Sequence, residues 1–327
     1  VSSHTVPARL LAAAVERALL APSVHNTQPW RWRVADGVVE LHADETRHLV
    51  ATDPDRRDLV LSCGAALHHL RVALAAAGLA ARVHRLPDPE DRRHLATVHV
   101  EHGASEPGLA LLDRAVAARR TDRRPFGPDP VPPRVLDALV RAGAAGGAAV
   151  HPVTAPAARR RLDEVLAAAA ERQRSVPGYA AELTIWSHRA AACHDGIPAG
   201  ARPSRGGSTA AGLRVLPGGR LPGGAARGSA DGSALLVVTT AGDGVLDRLR
   251  AGEASSAVLL AATLRGLATT PLSQAHETPA VRARLARDVL RTPDQPQLVV
   301  RVGHPAPDAP ALDPTPRRPL ESVLLAR

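Results

Sequence analysis

Lysine and methionine are missing from this 327-residue chain, and asparagine occurs once, as Asn26. Aromatic side chains make up 2% of it, with one Phe (Phe126), one Tyr (Tyr179) and three Trp. A core must therefore be assembled from Leu, Val and Ala, each of which buries less apolar area than an aromatic ring. All 41 basic residues are Arg, the bias of a GC-rich genome such as an actinobacterial one. The formal charge of +9 is accordingly read as solvated helix faces. No aromatic residues interleave with the basic runs to stack single strands, so no nucleic-acid partner is expected. The two cysteines, Cys63 and Cys193, lack CxxC or CxxH spacing, which excludes a zinc site and a disulfide scaffold. Cys63 falls in a helical pattern and is expected as a small core residue. No apolar run approaches the roughly 18 residues that span a bilayer. The N-terminal residues lack a basic region, an apolar core and a cleavage site. No metal and no membrane partner are expected, and the default location is cytoplasmic.

What is present has a clear order. The length suits about two domains. Residues 6–20, VPARLLAAAVERALL, predict a helix with Pro near its start. VVELHAD (38–44) alternates as a strand does. Asp53 or Asp55 is placed to cap a long helix through Ala77, ended by Gly78. ARVHRL and HLATVHVE (94–101) read as strands, and 109–118 as a helix. ALLVVTT (234–240) reads as a buried strand.

Two echoes run through this order. VPPRVLDALVRAGA (131–144) repeats the Val, Pro and Arg spacing of VPARLLAAAVERAL (6–19). GEASSAVLLAATLRGLA (252–268) repeats GAALHHLRVALAAAGLA (64–80), with Gly-Leu-Ala fourteen residues after the first Gly in each. Two echoes in one order point to an internal duplication. The middle departs from it. Residues 174–232 hold a Gly/Pro/Arg-rich stretch too glycine-rich for a regular element, and a loop of this length is functional or disordered.

Each half carries one polar motif that the other lacks. The first has PSVHNTQPW after its opening helix, where the second has GAAGGAAVHPV. Ser23, Asn26 and Gln28 offer mixed donors and acceptors that suit a planar heterocycle; a capped turn with Trp30 plugging the core is the alternative. The second half opens with RRTDRRPF (119–126). Its guanidinium forks and the Thr121 hydroxyl suit a phosphate dianion; a solvated run between domains is the alternative. Halves packed about a pseudo-two-fold axis would join these motifs into one complete composite site and one degenerate one. Trp30 and Trp32 are assigned to packing, and His25 to a solvent-exposed turn.

Together the motifs resemble the FMN-dependent nitroreductase superfamily, and within it the Acg-like branch of fused, double-length chains. LLAPSVHNTQPWRWRV resembles its APSxxNxQPW motif, RRTDRRPF its RRSxRxF phosphate motif, and GLATTPLSQ (266–274) its GLxxxP segment beside the flavin. VGHPAPDAPALDPTPRRPLESVL (302–324) resembles its closing VGYP…RRPLEEV, and YAAELTIWSHR…DGIPA a block of the double-length branch. The likeness spans about residues 6–324. It implies an α+β nitroreductase-like fold of two fused half-domains, 1–117 and 118–327, with a lid-like insertion at about 174–232. Each half would hold an antiparallel or mixed sheet flanked by helices, and the chain would act as a monomeric internal pseudo-dimer. It implies FMN as cofactor, NADH or NADPH as reductant, and a small-molecule acceptor such as a nitroaromatic or quinone. By the same resemblance Arg119, Arg120, Thr121 and Arg123 face the FMN phosphate, with Arg317 and Arg318. Pro22, Ser23, Val24 and Asn26, with Gln28 of the same turn, approach the flavin from the other half. Pro271, Leu272, Ser273 and Gln274 lie along the ring; here the chain departs from the family, in which an acidic residue and Gly often follow. The flavin carries the chemistry, so no catalytic acid–base pair is assigned. Tyr179, Glu182 and Trp186 are the anchors of the insertion. If it stayed shut over the flavin, the protein would store FMN with little turnover.

Overall fold

A proline at the threshold starts the first helix. In the computed structural model, which describes residues 5–203, 214–221 and 231–326, Pro7 has φ −64° and ψ 141° and leads into α1 (Ala8–Ala18). Leu11, Ala14, Val15 and Ala18 recur at three- and four-residue spacing and are buried, so this face packs on the core. β1 (Trp30–Ala35) and β2 (Val38–Ala43) form a hairpin whose two-residue turn ends on Gly37 at φ +72°, where glycine has no steric penalty. Trp30 and Trp32 point inward and are fully buried, as their assignment to packing requires.

The next helix, α2 (Arg57–Ala76), begins after Arg56 rather than directly after an aspartate. Asp53 still reaches its first turn: Leu59 N–H donates to Asp53 Oδ2 at 2.9 Å. Ala77 and Gly78 (φ +72°) end it. Contrary to the sequence reading, α2 is long and apolar enough to cross a membrane, and 83% of its apolar window is buried inside the protein. Its hydropathy serves the core; Cys63, for example, is fully buried, with Sγ 3.1 Å from Pro29 O. β3 (Leu79–Arg85) and β4 (His94–His102) complete an antiparallel sheet of order β1-β2-β4-β3. The helix expected over 109–118 is instead two single turns, α3 (Pro107–Ala110) and α4 (Asp113–Val116). Leu112 and Ala115 bond three residues back rather than four, and such tightened turns do not propagate.

The order then recurs. α5 (Pro133–Ala145) leads to β5 (Ala149–Val153). After α6 (Pro156–Arg174) and α7 (Tyr179–Ser187) come β6 (Ala234–Thr240), α8 (Val245–Thr263) and β7 (Ala268–Leu272). The short helices α9 (Gln274–Glu277) and α10 (Pro279–Arg284) precede β8 (Gln295–Gly303). The second sheet is antiparallel in the order β5-β6-β8-β7, the same sequential order as the first. The class is α+β, as expected. The sheets differ in cover. β3 alternates towards solvent, whereas β6 and β8 are buried almost throughout, because Leu162, Val165 and Leu166 of α6 pack on their second face with Leu285.

The two sheet systems meet where α2 crosses α8. A Cβ on Gly64 would lie 2.1 Å from Leu249 O, and one on Gly252 would lie 2.1 Å from Leu61 O. The contact is reciprocal, since each glycine meets the carbonyl three residues before the other, as in a two-fold interface. These are the two glycines that the sequence echo aligns.

The segment at 174–232 is more regular at its start than its glycine content suggests, because α7 occupies nine of its residues. The three expected anchors hold this part. Tyr179 Oη donates to Gln173 Oε1 at 3.1 Å. Glu182 accepts the Ala51 and Thr52 amides at 3.1 and 2.8 Å. Trp186 lies beside the guanidinium groups of Arg47 and Arg189 at 5.5 and 5.1 Å, and both cations pair with Asp195. Residues 204–213 and 222–230 of this segment lie outside the described residues.

Candidate functional site

The Arg-rich motif runs extended past the start of β7. Thr121 forms a parallel bridge with Thr269, and Asp122 N–H donates to Thr269 O at 2.9 Å. Extended backbone sends alternate side chains to opposite sides. Thr121 and Arg123 thus reach one side, while Asp122 and Arg124 pair with each other, buried, on the other.

Two neighbouring cavities share Thr121 as a wall. The larger, of about 430 Å³, holds Arg119, Arg120 and Arg317. Among the described residues none of these three forms an ion pair with a carboxylate. Arg120 donates to the carbonyls of Ala117 and Leu312. Arg317 donates to Leu20 O, to Thr315 and to Asn26 Oδ1. Arg119 Nε and Nη1 are buried without a partner. Burial, with the neighbouring Arg120, pushes Arg119 down to about 10. Burial, with Arg119 and Arg120, pushes Arg317 down to about 9. Three crowded cations with neutral partners, one with free N–H groups, have the donors and the charge to suit an anion.

The smaller cavity, of about 110 Å³, is walled from several elements. The turn before β1 contributes Pro22, Ser23, Val24 and His25. Asp58, Ser62 and Ala65 come from α2, and Ser255, Ser256 and Leu259 from α8. Pro271, Leu272, Ser273 and Gln274 form the far wall with Arg123. Ile197, Arg214 and Leu216 of the long segment close the remaining side.

The turn at 23–28 is shaped by its polar residues. His25, Asn26 and Gln28 have φ of 48°, 55° and 51°, left-handed values that asparagine tolerates better than most residues. Ser23 Oγ accepts Gln28 N–H at 2.9 Å, and Thr27 Oγ1 donates to Val24 O at 2.9 Å. The Asn26 amide is used within the protein: Nδ2 donates to Gly196 O and Pro316 O, both at 3.0 Å, and Oδ1 accepts from Arg317 at 3.2 Å. Gln28 donates to His194 O and accepts Arg318 N–H. Arg318 itself turns to Gln28 O, Asp44 and Ser322 O. Asn26, Gln28 and Arg318 therefore line neither cavity, although Asn26 braces an arginine that does. His25, expected in a solvent-exposed turn, is instead buried, at 7% accessible, because its cover comes from remote segments. Burial, Arg214 and Arg123 hold it well below its usual range, so it is a neutral imidazole on the cavity wall.

Several polar groups here were given no place in the site by the sequence reading. Asp58 Oδ1 meets His276 Nε2 at 2.9 Å, both buried. Burial pushes the Asp58 carboxyl up, but His276, Arg214 and Arg57 outweigh it and hold it low. Glu277 accepts from Ser273, Gln173 and Arg214, and burial still lifts its carboxyl to about 7. Burial and the charge of Asp58 lift Asp53 to about 8. Arg214 lies 5.6 Å from the Tyr179 ring centre. No motif marks these residues, which fall within DPDRRD, QAHE and GLRV.

Across the helix crossing the picture differs. Ala65 follows Gly64 and lines the small cavity, whereas Glu253 follows Gly252 and is fully buried. Glu253 accepts from Arg85 at 2.6 and 2.9 Å and from Arg71 at 3.1 Å. Counted from the paired glycines, Arg71 matches Leu259 and Arg85 matches Ser273, both cavity residues. Where one side of the crossing has a cavity, the other has a buried ion cluster.

No family model matches the chain. A Mycobacterium tuberculosis (strain H37Rv) protein provisionally named NAD(P)H nitroreductase is 39% identical over 99% of this chain and 93% of its own length. A second protein of that strain, provisionally named NAD(P)H nitroreductase acg, is 38% identical over 97% of this chain and 96% of its own. Among solved structures, the FMN-dependent nitroreductase NfnB of Mycobacterium smegmatis in complex with NADPH aligns with 67% of this chain and 99% of its own, at 17% identity and a TM-score of 0.44.

Proposed function

Since this chain belongs to the nitroreductase superfamily, in its Acg-like branch, we propose that it binds one FMN across its two halves and acts as an NAD(P)H-linked oxidoreductase. The acceptors on this reading are nitroaromatics, quinones or related small molecules. The observation that carries it is the buried trio Arg119, Arg120 and Arg317, with unpaired N–H groups on Arg119 and no carboxylate among its partners. A phosphate dianion is the ligand that such a trio fits. The adjoining cavity, which shares Thr121 with it, receives the ring system. Bound FMN supplies two-electron transfer between the nicotinamide donor and the acceptor.

The chain's residues hold and shield that group. Arg119, Arg120 and Arg317 take the phosphate, and Asn26 sets Arg317 from the other half. Arg123 and Arg214 bring positive charge to the ring cavity, and Ile197 and Leu216 exclude water from it. Residues 1–117 and 118–327 form the two fused half-domains of a monomer. The reciprocal Gly64–Gly252 crossing supports an internal duplication, and the ion cluster at Glu253 supports a single site. The cover of Ile197, Arg214 and Leu216 favours a second reading, in which the protein holds FMN with little turnover.

Titration of the protein with FMN, followed by anaerobic mixing with NADPH or NADH, tests both readings. One flavin per chain that bleaches on mixing is the expected result. Bound flavin that stays oxidised selects the storage reading, and absence of flavin binding overturns both.

A further inference from the structure

Two residues lining the small cavity each carry a buried polar atom with no partner among the described residues: Asp58 Oδ2 on α2 and Ser255 Oγ on α8. Asp58 already meets His276 through Oδ1, which leaves its second oxygen over. A buried polar atom left unpaired is costly, more so when charged, and a ligand in the cavity could relieve both. Their chemistry restricts what that ligand presents. An ionised carboxylate oxygen only accepts, and so requires an N–H or O–H donor. A serine hydroxyl can donate to a carbonyl oxygen. Together in the wall of one cavity, an acceptor and a hydroxyl suit an imide edge, in which one N–H stands between two carbonyls.

We infer that Asp58 Oδ2 accepts the ring N–H of the flavin's pyrimidine edge, the N3–H, and that Ser255 Oγ donates to a neighbouring ring carbonyl. This rests on the reading that FMN occupies the two cavities with its phosphate at the arginine trio. It makes Asp58 a recognition residue for the ring, and one that the phosphate and Asn26 motifs do not include. The residues beside Asp58 agree with this role. Ser62 Oγ donates to Asp58 O and accepts Val24 N–H at 3.3 Å, which ties the acid to the turn of the cavity wall. Arg123 and Arg214 supply the positive surroundings in which a carboxylate can face a ring with electronegative edges.

Flavin methylated at N3 separates ring recognition from folding. The protein, stripped of flavin, is titrated with FMN and with 3-methyl-FMN, following quenching of flavin fluorescence. Wild type is expected to prefer FMN by roughly ten-fold or more, the scale of one charged hydrogen bond. Asp58→Ala is expected to bind FMN more weakly and to bring the two flavins within about two-fold of each other. A purely structural role for Asp58 leaves that preference intact. Equal affinity of wild type for both flavins overturns the assignment even if no Asp58 variant folds. So does an Asp58→Ala protein that keeps the preference, since the ribityl hydroxyls would then be the partner. Wild type that binds neither flavin overturns the FMN reading itself, an outcome distinct from the others.

Discussion

Exchanging Arg119 for methionine should weaken the ligand and strengthen the empty protein at once. Methionine keeps much of the apolar stem and removes the guanidinium. In the protein Arg119 is 4% accessible, its Nε and Nη1 have no partner, and Arg120 and Arg317 lie close. Burial and Arg120 hold its folded pKa at about 10 against 12.5. For a base, a depressed folded pKa means that the charged form is disfavoured by folding, at every pH below about 10. The displacement corresponds to about 3 kcal/mol at neutral pH, which the substitution should largely recover. Against this, a bound phosphate loses a charge-assisted hydrogen bond of about 1.5–3 kcal/mol, a roughly 10- to 150-fold rise in Kd. Urea unfolding of the flavin-free protein reads the first effect, and FMN titration reads the second. Wild-type affinity in Arg119→Met would refute the anion site. A variant less stable than wild type without flavin would refute the claim that this cation is unpaired.

Asn26→Ala removes three hydrogen bonds and a residue suited to φ 55°. It should lower stability by about 1–3 kcal/mol and weaken FMN by loosening Arg317, although Asn26 touches neither cavity; FMN affinity equal to wild type would remove it from the site. Asp53 gives a pH signature. Its folded pKa near 8 lies above the unfolded value near 3.8, so the native state binds the extra proton between them and stability falls as pH rises through that window. Asp53→Asn keeps an acceptor for Leu59 N–H and should flatten that fall; parallel urea midpoints from pH 5 to 8 in the two proteins would contradict it. Gly64→Ala places a methyl 2.1 Å from Leu249 O. It should cost about 3 kcal/mol or more and lower FMN affinity with it, measured by thermal unfolding and titration; a shift within about 0.5 kcal/mol would show that the crossing yields easily.

The elements were legible where a local pattern decided them. Pro7 before α1, the alternation of β2 and the apolar run of β6 each depend on neighbours in sequence. The glycine echo aligned Gly64 with Gly252 as repeat positions, and their meeting at the α2–α8 crossing is a tertiary fact. The helix over 109–118 failed on backbone geometry, since three-residue bonds at Leu112 and Ala115 leave no trace in composition. α7 was masked by the glycines that follow it. Of the arginine motif, Arg119 and Arg120 line the larger cavity and Arg123 the smaller, while Arg124 pairs with Asp122, a division that four guanidinium groups in six residues do not reveal. Asn26 drew notice by rarity, yet rarity could not tell a ligand contact from a brace on Arg317. Asp58, Ser255 and Arg214 were not legible. Each is an ordinary polar residue, and only the crossing of α2 with α8 and the approach of Arg214 to Glu277 turn them toward one cavity. His25 was misjudged for the same reason, because its cover comes from remote segments.

The ion cluster at Glu253 has a genetic consequence. In an assembly of two identical chains, one codon writes a residue on both sides of the symmetry axis. A carboxylate that filled one cavity there would fill its twin as well. In this chain Ala65 and Glu253 are separate codons at matching places beside the paired glycines. The cavity on one side of the crossing and the ion cluster on the other can therefore be set independently, a combination that no pair of identical subunits can encode.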